Sequence, residues 1–370
     1  MDRTVLIVAA SGRALAASAR RGGFTPLVAD FFGDQDMVAI ARAHRRLKSG
    51  CMAGMQPDEA LAALAALAQG ARPAGVVCGT GFEDRPGLLA EIARRFRLIG
   101  NSPDIVARVK DPIALAELCR GCGIPHPATS LAPPADATGW LAKRRGGAGG
   151  RHVTVELGRG RGEAVYFQRR VDGTPVSALL LANGDRAMVL GFSSQWSAAT
   201  PHHPFRYGGA VTPAALEPST AAALAAAVQR LIGAVSLVGL NSVDFLAAGE
   251  RFWLIEINPR PGATLDIFAP ERGSLFALHV DACRGALPAH APACAGAKAS
   301  AIVYAKHDIP LVPAVDWPDW TADRPPVGTS IRAGGPLCTV LSAAPTADAA
   351  RELVVRRIGT ILSWMAERAA

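Results

Sequence analysis

Along residues 4–100 the apolar positions alternate between two periods. TVLIVAA (4–10), TPLVAD (25–30) and GVVCGT (75–80) are short apolar runs. Between them, 14–21, 57–69 and 86–96 carry apolar residues at helical spacing, and RLIG closes the series. Strands alternating with helices predict a parallel sheet with crossover helices, so the N-terminal unit is expected to be Rossmann-like α/β.

From residue 101 the pattern changes. A helix capped by Ser102-Pro103 and a second one after Lys110-Asp111-Pro112 lead through GIPHPATS into GWLAKRR, HVTVEL, AVYFQRRV, PVSALLLANG and RAMVLGFSSQW. Gly-rich or polar turns separate these runs, which predicts antiparallel sheet. A helix over 219–238 precedes the hairpin GLNSVDFLAAGERFWLIEIN, and the tail ends in a helix from about Thr346. The expected fold class is α/β and α+β multidomain, divided at 1–107, 108–171, 172–290 and 291–370.

Composition removes several function classes. The 370 residues are 50% hydrophobic and 19% charged, an ordinary folded composition. No apolar run is read as a membrane span and no leader pattern is read at the start, so a cytoplasmic protein is expected. Seven cysteines argue against a disulfide framework. Cys119 and Cys122 form a CxxC, but at the end of a helix, where the dipole raises a thiol pKa. The eight histidines show no zinc spacing. A net charge of +8 with 6% aromatics and no nucleic-acid motif suits anionic small molecules rather than nucleic acid. ASGRAL and CGTGFE do not form a G-x-G-x-x-G fingerprint, and no P-loop motif is present.

The candidate chemistry lies in the hairpin. Period 2 puts Glu256 and Asn258 on one face of an apolar strand, with Ile255 and Ile257 on the other. If the loop is Gly249-Glu250-Arg251, the ladder is symmetric about residue 250 and Asp244 falls opposite Glu256. Cross-strand neighbours have Cβ atoms about 4.5–5.5 Å apart. Two carboxylates that close call for a cation, and Asp244, Glu256 and Asn258 form an oxygen set suited to Mg²⁺. Upstream, Lys143 leads into Gly146-Gly147-Ala148-Gly149-Gly150, which is either a hairpin tip or a turn whose N–H groups meet phosphate.

The order of these parts resembles the ATP-grasp superfamily over about residues 1–340: Lys110 before a helix ending in GIPHP, Lys143 before a glycine loop, YFQRRVDGTPVS as a hinge strand, and VDF followed by IEINPR. The resemblance implies an ATP-grasp fold behind a pre-ATP-grasp domain, with ATP between two sheets and Mg²⁺, two ions, as cofactor. It makes Lys110 and Lys143 the phosphate lysines, with Gly147 and Gly149 in the phosphate loop. Gln168, the Arg169 carbonyl and the Val171 N–H would read adenine. Asp244, Glu256 and Asn258 would hold the metal, and Arg260 would stabilise the transferred phosphate, making Lys143 and Arg260 the catalytic pair. The sequence departs from the family at Pro175, where many members hold the ribose with an acid, and at Ser242, where amino-acid ligases often carry Arg.

GTGFEDRPGLL, LIGNSPDIVARVKDP and INPRPGATLDIF look most like the branch associated with methanofuran, methylofuran and tetrahydromethanopterin biosynthesis, similar to the tyramine to glutamate ligase. The implied activity is amide formation through an acyl phosphate, with L-glutamate and an amine as small-molecule substrates. A homodimer is left open. Trp196, His202, His203, Arg206 and Tyr207, in the expected loop 193–209, are the candidate substrate contacts. Two alternatives stand beside the ligase: a nucleotide-binding scaffold without turnover, and a bicarbonate-using carboxylase, for which no biotin-carrier segment is seen.

Overall fold

A computed structural model describes residues 3–50, 54–157 and 164–369. Cys51 and the turn expected between HVTVEL and AVYFQRRV, residues 158–163, lie outside the described residues. The first sheet consists of β1 (Thr4–Val8), β2 (Thr25–Asp30), β3 (Ala43–Arg46) and β4 (Val76–Cys78), all parallel, in the order β3-β2-β1-β4. β1 is buried on both faces: Val5 and Ile7 enter one core cluster, Leu6 and Val8 another. That two-sided burial is why its sequence is a continuous apolar run rather than an alternating one. The expected order of strands and helices is present up to the helix over 86–96, with additions; RLIG contributes only an isolated parallel bridge, Leu98 to Val76, rather than a strand. A helix at Gln35–Ile40 and the edge strand β3 precede the helix Pro57–Ala68. β3 reads AHRR, so no apolar pattern announces it.

The second sheet, β5 (Thr129–Ser130), β6 (Trp140–Arg144), β7 (Val153–Thr154) and β8 (Val165–Arg169), is antiparallel in the order β5-β8-β6-β7. HVTVEL, expected as a full strand, contributes only the two residues of β7.

The third sheet contains β9 (Thr174–Asn183), β10 (Ala187–Ser197), β11 (Tyr207–Thr212), β12 (Val238–Ala248), β13 (Arg251–Asn258), β14 (Ala297–Tyr304), β15 (Thr321–Ala322) and β16 (Pro336–Ala344), ordered β13-β12-β9-β10-β11-β14-β16-β15. On β9, Ala178, Leu180 and Ala182 face the helix Pro218–Val235, while Leu179 and Leu181 join the cluster shared with the first sheet and the helix Leu275–Ala282. The helix Pro218–Val235 is long and apolar enough to cross a bilayer. Here its stripe of Leu224, Val228, Leu231 and Ile232 is buried in the core. It ends earlier than expected because Ser236 turns left-handed (φ 54°), which lets β12 start at Val238. Residues 193–209 are not one loop: their ends are the strand residues of β10 and β11, with Trp196 opposite Gly209 and Ser197 opposite Tyr207.

Candidate active site

β12 and β13 place Asp244 opposite Glu256, the expected pair, by an unexpected route. The turn has two residues, Gly249 (φ 62°) and Glu250, so Ala248 pairs with Arg251 and Phe245 with Leu254. A regular ladder from that turn would set Asp244 opposite Ile255. A bulge after Leu254 adds one residue to β13 and brings Glu256 into place. The same bulge corrects the expected facing: Leu254 and Ile257 both enter the core, while Ile255 stays half-buried outside it.

Around the pair an ion network closes. Lys110, the last residue of the helix Pro103–Lys110, puts its Nζ 2.5 Å from Glu256 Oε1 and 3.1 Å from Asn258 Oδ1. Its position is fixed by Asp111, which ends that helix and caps the next one, Pro112–Gly121, by accepting from the Ile113 and Ala114 N–H groups. Asn258 Nδ2 donates to Asp244 Oδ2 at 2.9 Å, and among the described residues the buried Asp244 Oδ1 has no hydrogen-bond partner. Burial and the facing Glu256 push the Asp244 carboxyl up. Burial acts on Glu256 in the same sense, but Lys110 and its neighbours outweigh it and hold Glu256 below the usual carboxylate range. Arg260 Nε meets Glu83 Oε1 at 2.6 Å, and its Nη2 lies 3.4 Å from Asn258 Oδ1.

An orphaned carboxylate oxygen beside a second carboxylate fits a hard divalent cation. Among the described residues no three His, Cys, Asp or Glu side chains form a metal group on their own. Two carboxylates and one amide suit an ion that completes its shell with water and phosphate, as Mg²⁺ does.

Lys143, on β6, is buried with its Nζ 2.6 Å from Gln168 Oε1, and burial pulls its pKa down to about 8. Gln168 on β8 is thus held by the lysine; Arg169 N bonds to Ala128 O, and Val171 lies in the link between the second and third sheets. In the glycine loop, a Cβ at Gly147 would sit 2.2 Å from the His152 ring and one at Gly150 1.8 Å from the Phe205 carbonyl oxygen. Gly149 (φ 66°) faces open space, and its carbonyl accepts from Tyr207 N at 2.9 Å. The loop therefore closes onto β11 by backbone contact that larger residues would block. Beside it, a cleft of about 450 Å³ is lined by Glu83, Lys110, Asp111, Arg144 and Arg145, among others.

The five candidate substrate residues do not converge. Trp196 packs over Gly208 and Gly209, with Arg351 Cζ 5.1 Å from its ring. Arg206 Nε donates to Ala198 O at 2.8 Å, and its guanidinium lies 3.7 Å from the Tyr304 ring centroid. His203 Nδ1 lies 3.2 Å from Arg151 O, and His202 is exposed. Tyr207 is the one near the metal set: its hydroxyl is buried beside Ser300 and Asp244, and burial and Asp244 push its pKa up. Glu83 was not singled out from the sequence. GTGFEDRP enters only as a rejected dinucleotide turn and as part of the resemblance, and nothing local signals that its acid meets an arginine 177 residues away. Arg13 was missed likewise: it is buried and bridges Asp266 (2.7 and 2.6 Å) and Asp323 (3.1 Å), binding the first unit to the rest. In the CxxC, Cys119 is a free, buried thiol pushed up to about 12 by burial.

Residues 110–264 match the ATP-grasp domain model. The large chain of carbamoyl phosphate synthase from Rubrobacter xylanophilus is 25% identical over 228 residues, 55% of this chain. The match spans only about a fifth (21%) of that relative's length. Among solved structures, biotin carboxylase from Campylobacter jejuni superposes with a TM-score of 0.73 at 15% identity, covering 98% of this chain and 95% of its own. N5-carboxyaminoimidazole synthetase from Staphylococcus aureus, complexed with ADP, gives 0.69 at 14% identity, covering 96% of each chain. The biotin carboxylase domain dimer of Hydrogenobacter thermophilus 2-oxoglutarate carboxylase, with MgADP and bicarbonate, gives 0.73 at 12% identity over 95% of this chain and 88% of its own. The chain has the ATP-grasp fold, and residues 110–264 are the stretch that matches the ATP-grasp domain model.

Proposed function

We propose that the protein is an ATP-dependent carboxylate–amine ligase. The observation that carries the reading is the meeting of three distant motifs: GTGFEDRPGLL supplies Glu83, LIGNSPDIVARVKDP supplies Lys110 and INPRPGATLDIF supplies Arg260, joined through Glu256 and Asn258 beside Asp244. Lysines 110 and 143 would neutralise the phosphates of ATP, and Arg260, aimed by Glu83, the phosphoryl group in transfer. Asp244, Glu256 and Asn258 would hold Mg²⁺, which when bound neutralises phosphate charge. A carboxylate oxygen attacks the γ-phosphorus and ADP leaves. The amine then attacks the acyl carbon, the C–N bond forms and phosphate departs with the acyl oxygen.

The acid in this proposal is L-glutamate, and the amine is an aromatic amine or a precursor of a one-carbon carrier such as methylofuran or tetrahydromethanopterin. The three motifs and the basic chain support that choice. The setting proposed is cytoplasmic and homodimeric. The carboxylase relatives, one solved with bicarbonate, favour a second reading in which bicarbonate takes the place of the acid at the same site. Glutamate labelled with ¹⁸O in its carboxylates separates the two: one label per turnover should appear in the released phosphate, and ADP release without transfer of label would overturn the glutamate reading.

A further inference from the structure

The GIPHP turn lies against the hairpin that carries the carboxylates. Leu254 N donates to Pro125 O at 2.8 Å, and His126 Nδ1 lies 2.7 Å from Leu254 O. A carbonyl only accepts, so Nδ1 carries a proton. Burial, opposed by that hydrogen bond, pulls the ring pKa down to about 4, which leaves Nε2 a bare acceptor near neutrality. Nε2 is 3.4 Å from Gln168 Nε2 and 3.4 Å from Thr129 Oγ1. The Thr129 hydroxyl already donates to Pro127 O at 3.0 Å, so both His126 and Thr129 are left as acceptors for the Gln168 amide N–H groups. That settles the direction of the amide. Its NH₂ faces His126 and Thr129, and its Oε1 faces Lys143 Nζ at 2.6 Å.

We propose that His126 is a positioning residue for Lys143: acting through the Gln168 amide, it fixes the oxygen that aims the buried ammonium and ties that lysine to the backbone of the strand bearing Glu256. The inference rests on the reading of Lys143 as a ligand for nucleotide phosphate. Its distinctive consequence is that His126 matters only while residue 168 has two chemically different ends. Without the imidazole, the amide can turn its NH₂ toward the ammonium. A carboxylate at 168 presents oxygen either way and has no direction to fix.

ATP affinity is therefore measured by calorimetry at pH 7 on the full chain, His126→Ala, Gln168→Glu and the double variant, with the His126 tautomer read by ¹⁵N NMR. In the Gln168 chain His126→Ala should weaken ATP binding about five- to tenfold, the worth of one ordered hydrogen bond. In the Gln168→Glu chain the same change should cost less than about twofold. The NMR spectrum should show a neutral ring protonated at Nδ1. Equal losses in both backgrounds, or a ring protonated at Nε2, would overturn the positioning role. Failure of the unsubstituted chain to bind ATP would overturn the nucleotide reading and the affinity role with it, whereas ATP binding indifferent to His126→Ala overturns the positioning role alone.

Discussion

Glu83 Oε1 and Arg260 Nε meet at 2.6 Å, with the glutamate side chain only 3% and the arginine 13% exposed. The pair joins the turn after β4 to the loop after β13, and the Gly81 and Phe82 N–H groups donate to the other carboxylate oxygen at 2.7 and 2.9 Å. Burial alone would raise the Glu83 pKa, but Arg260, Lys110 and those N–H groups outweigh it and hold the carboxyl low. The stabilisation is therefore present in full above the unfolded value of 4.5 and is lost as pH falls through the lower folded value. Glu83→Ala, which leaves the arginine charge unpaired, should cost about 3–5 kcal/mol in denaturant unfolding. Glu83→Gln should fold and lower kcat by tenfold or more (roughly), because Arg260 loses its aim.

Lys143 gives a pH signature. Among the described residues its hydrogen-bond acceptor is the neutral Gln168 amide, and burial holds its folded pKa, about 8, below the ordinary lysine value of 10.5. Below about pH 8 the ammonium is charged and available to phosphate, so ATP affinity measured by calorimetry should weaken as pH rises through that value. Lys143→Ala should weaken it by about tenfold or more at pH 7, the worth of a charge-assisted contact. Lys298→Ala and Lys306→Ala should not, since Lys298 holds the Ala269 carbonyl and Lys306 is exposed.

The glycine loop separates space from conformation. Among the described residues Gly149→Ala meets nothing within 4 Å and should cost only its left-handed φ, about 1–2 kcal/mol. Gly150→Ala would drive a methyl group into the Phe205 carbonyl and should cost more, with loss of the contact between loop and β11. Unfolding midpoints of the two variants check the order.

Glu256→Gln removes the charge facing Lys110 and Asp244 while keeping shape, and should lower turnover by about 100-fold or more while the protein still folds cooperatively. Glu250→Gln, in the exposed turn, should leave turnover and melting unchanged. ADP release and a circular-dichroism melt on both variants read the difference.

Much of this site is local pattern and was legible. Asp244, Glu256 and Asn258 stand out because polar residues at strand spacing interrupt apolar runs. The right partner followed even from the wrong turn, because a three-residue loop and a two-residue turn plus a bulge give the same offset. A bulge leaves no mark in period-2 reasoning; only the burial of both Leu254 and Ile257 betrays it. Glu83 and Arg13 were opaque because their partners are far along the chain. Trp196 and Arg206 looked free in the sequence because the C-terminal groups that engage them, Arg351 and Tyr304, are distant as well.

The most direct test of the ligase reading is ADP release by the purified chain with Mg²⁺-ATP, assayed with L-glutamate, with a panel of aromatic amines and furan or pterin precursors, with both together and with bicarbonate, each product identified by mass spectrometry. ADP release is expected only when acid and amine are both present, matched one to one by an amide of glutamate. ADP release driven by bicarbonate, or ATP bound and never turned over with any pair, would contradict it.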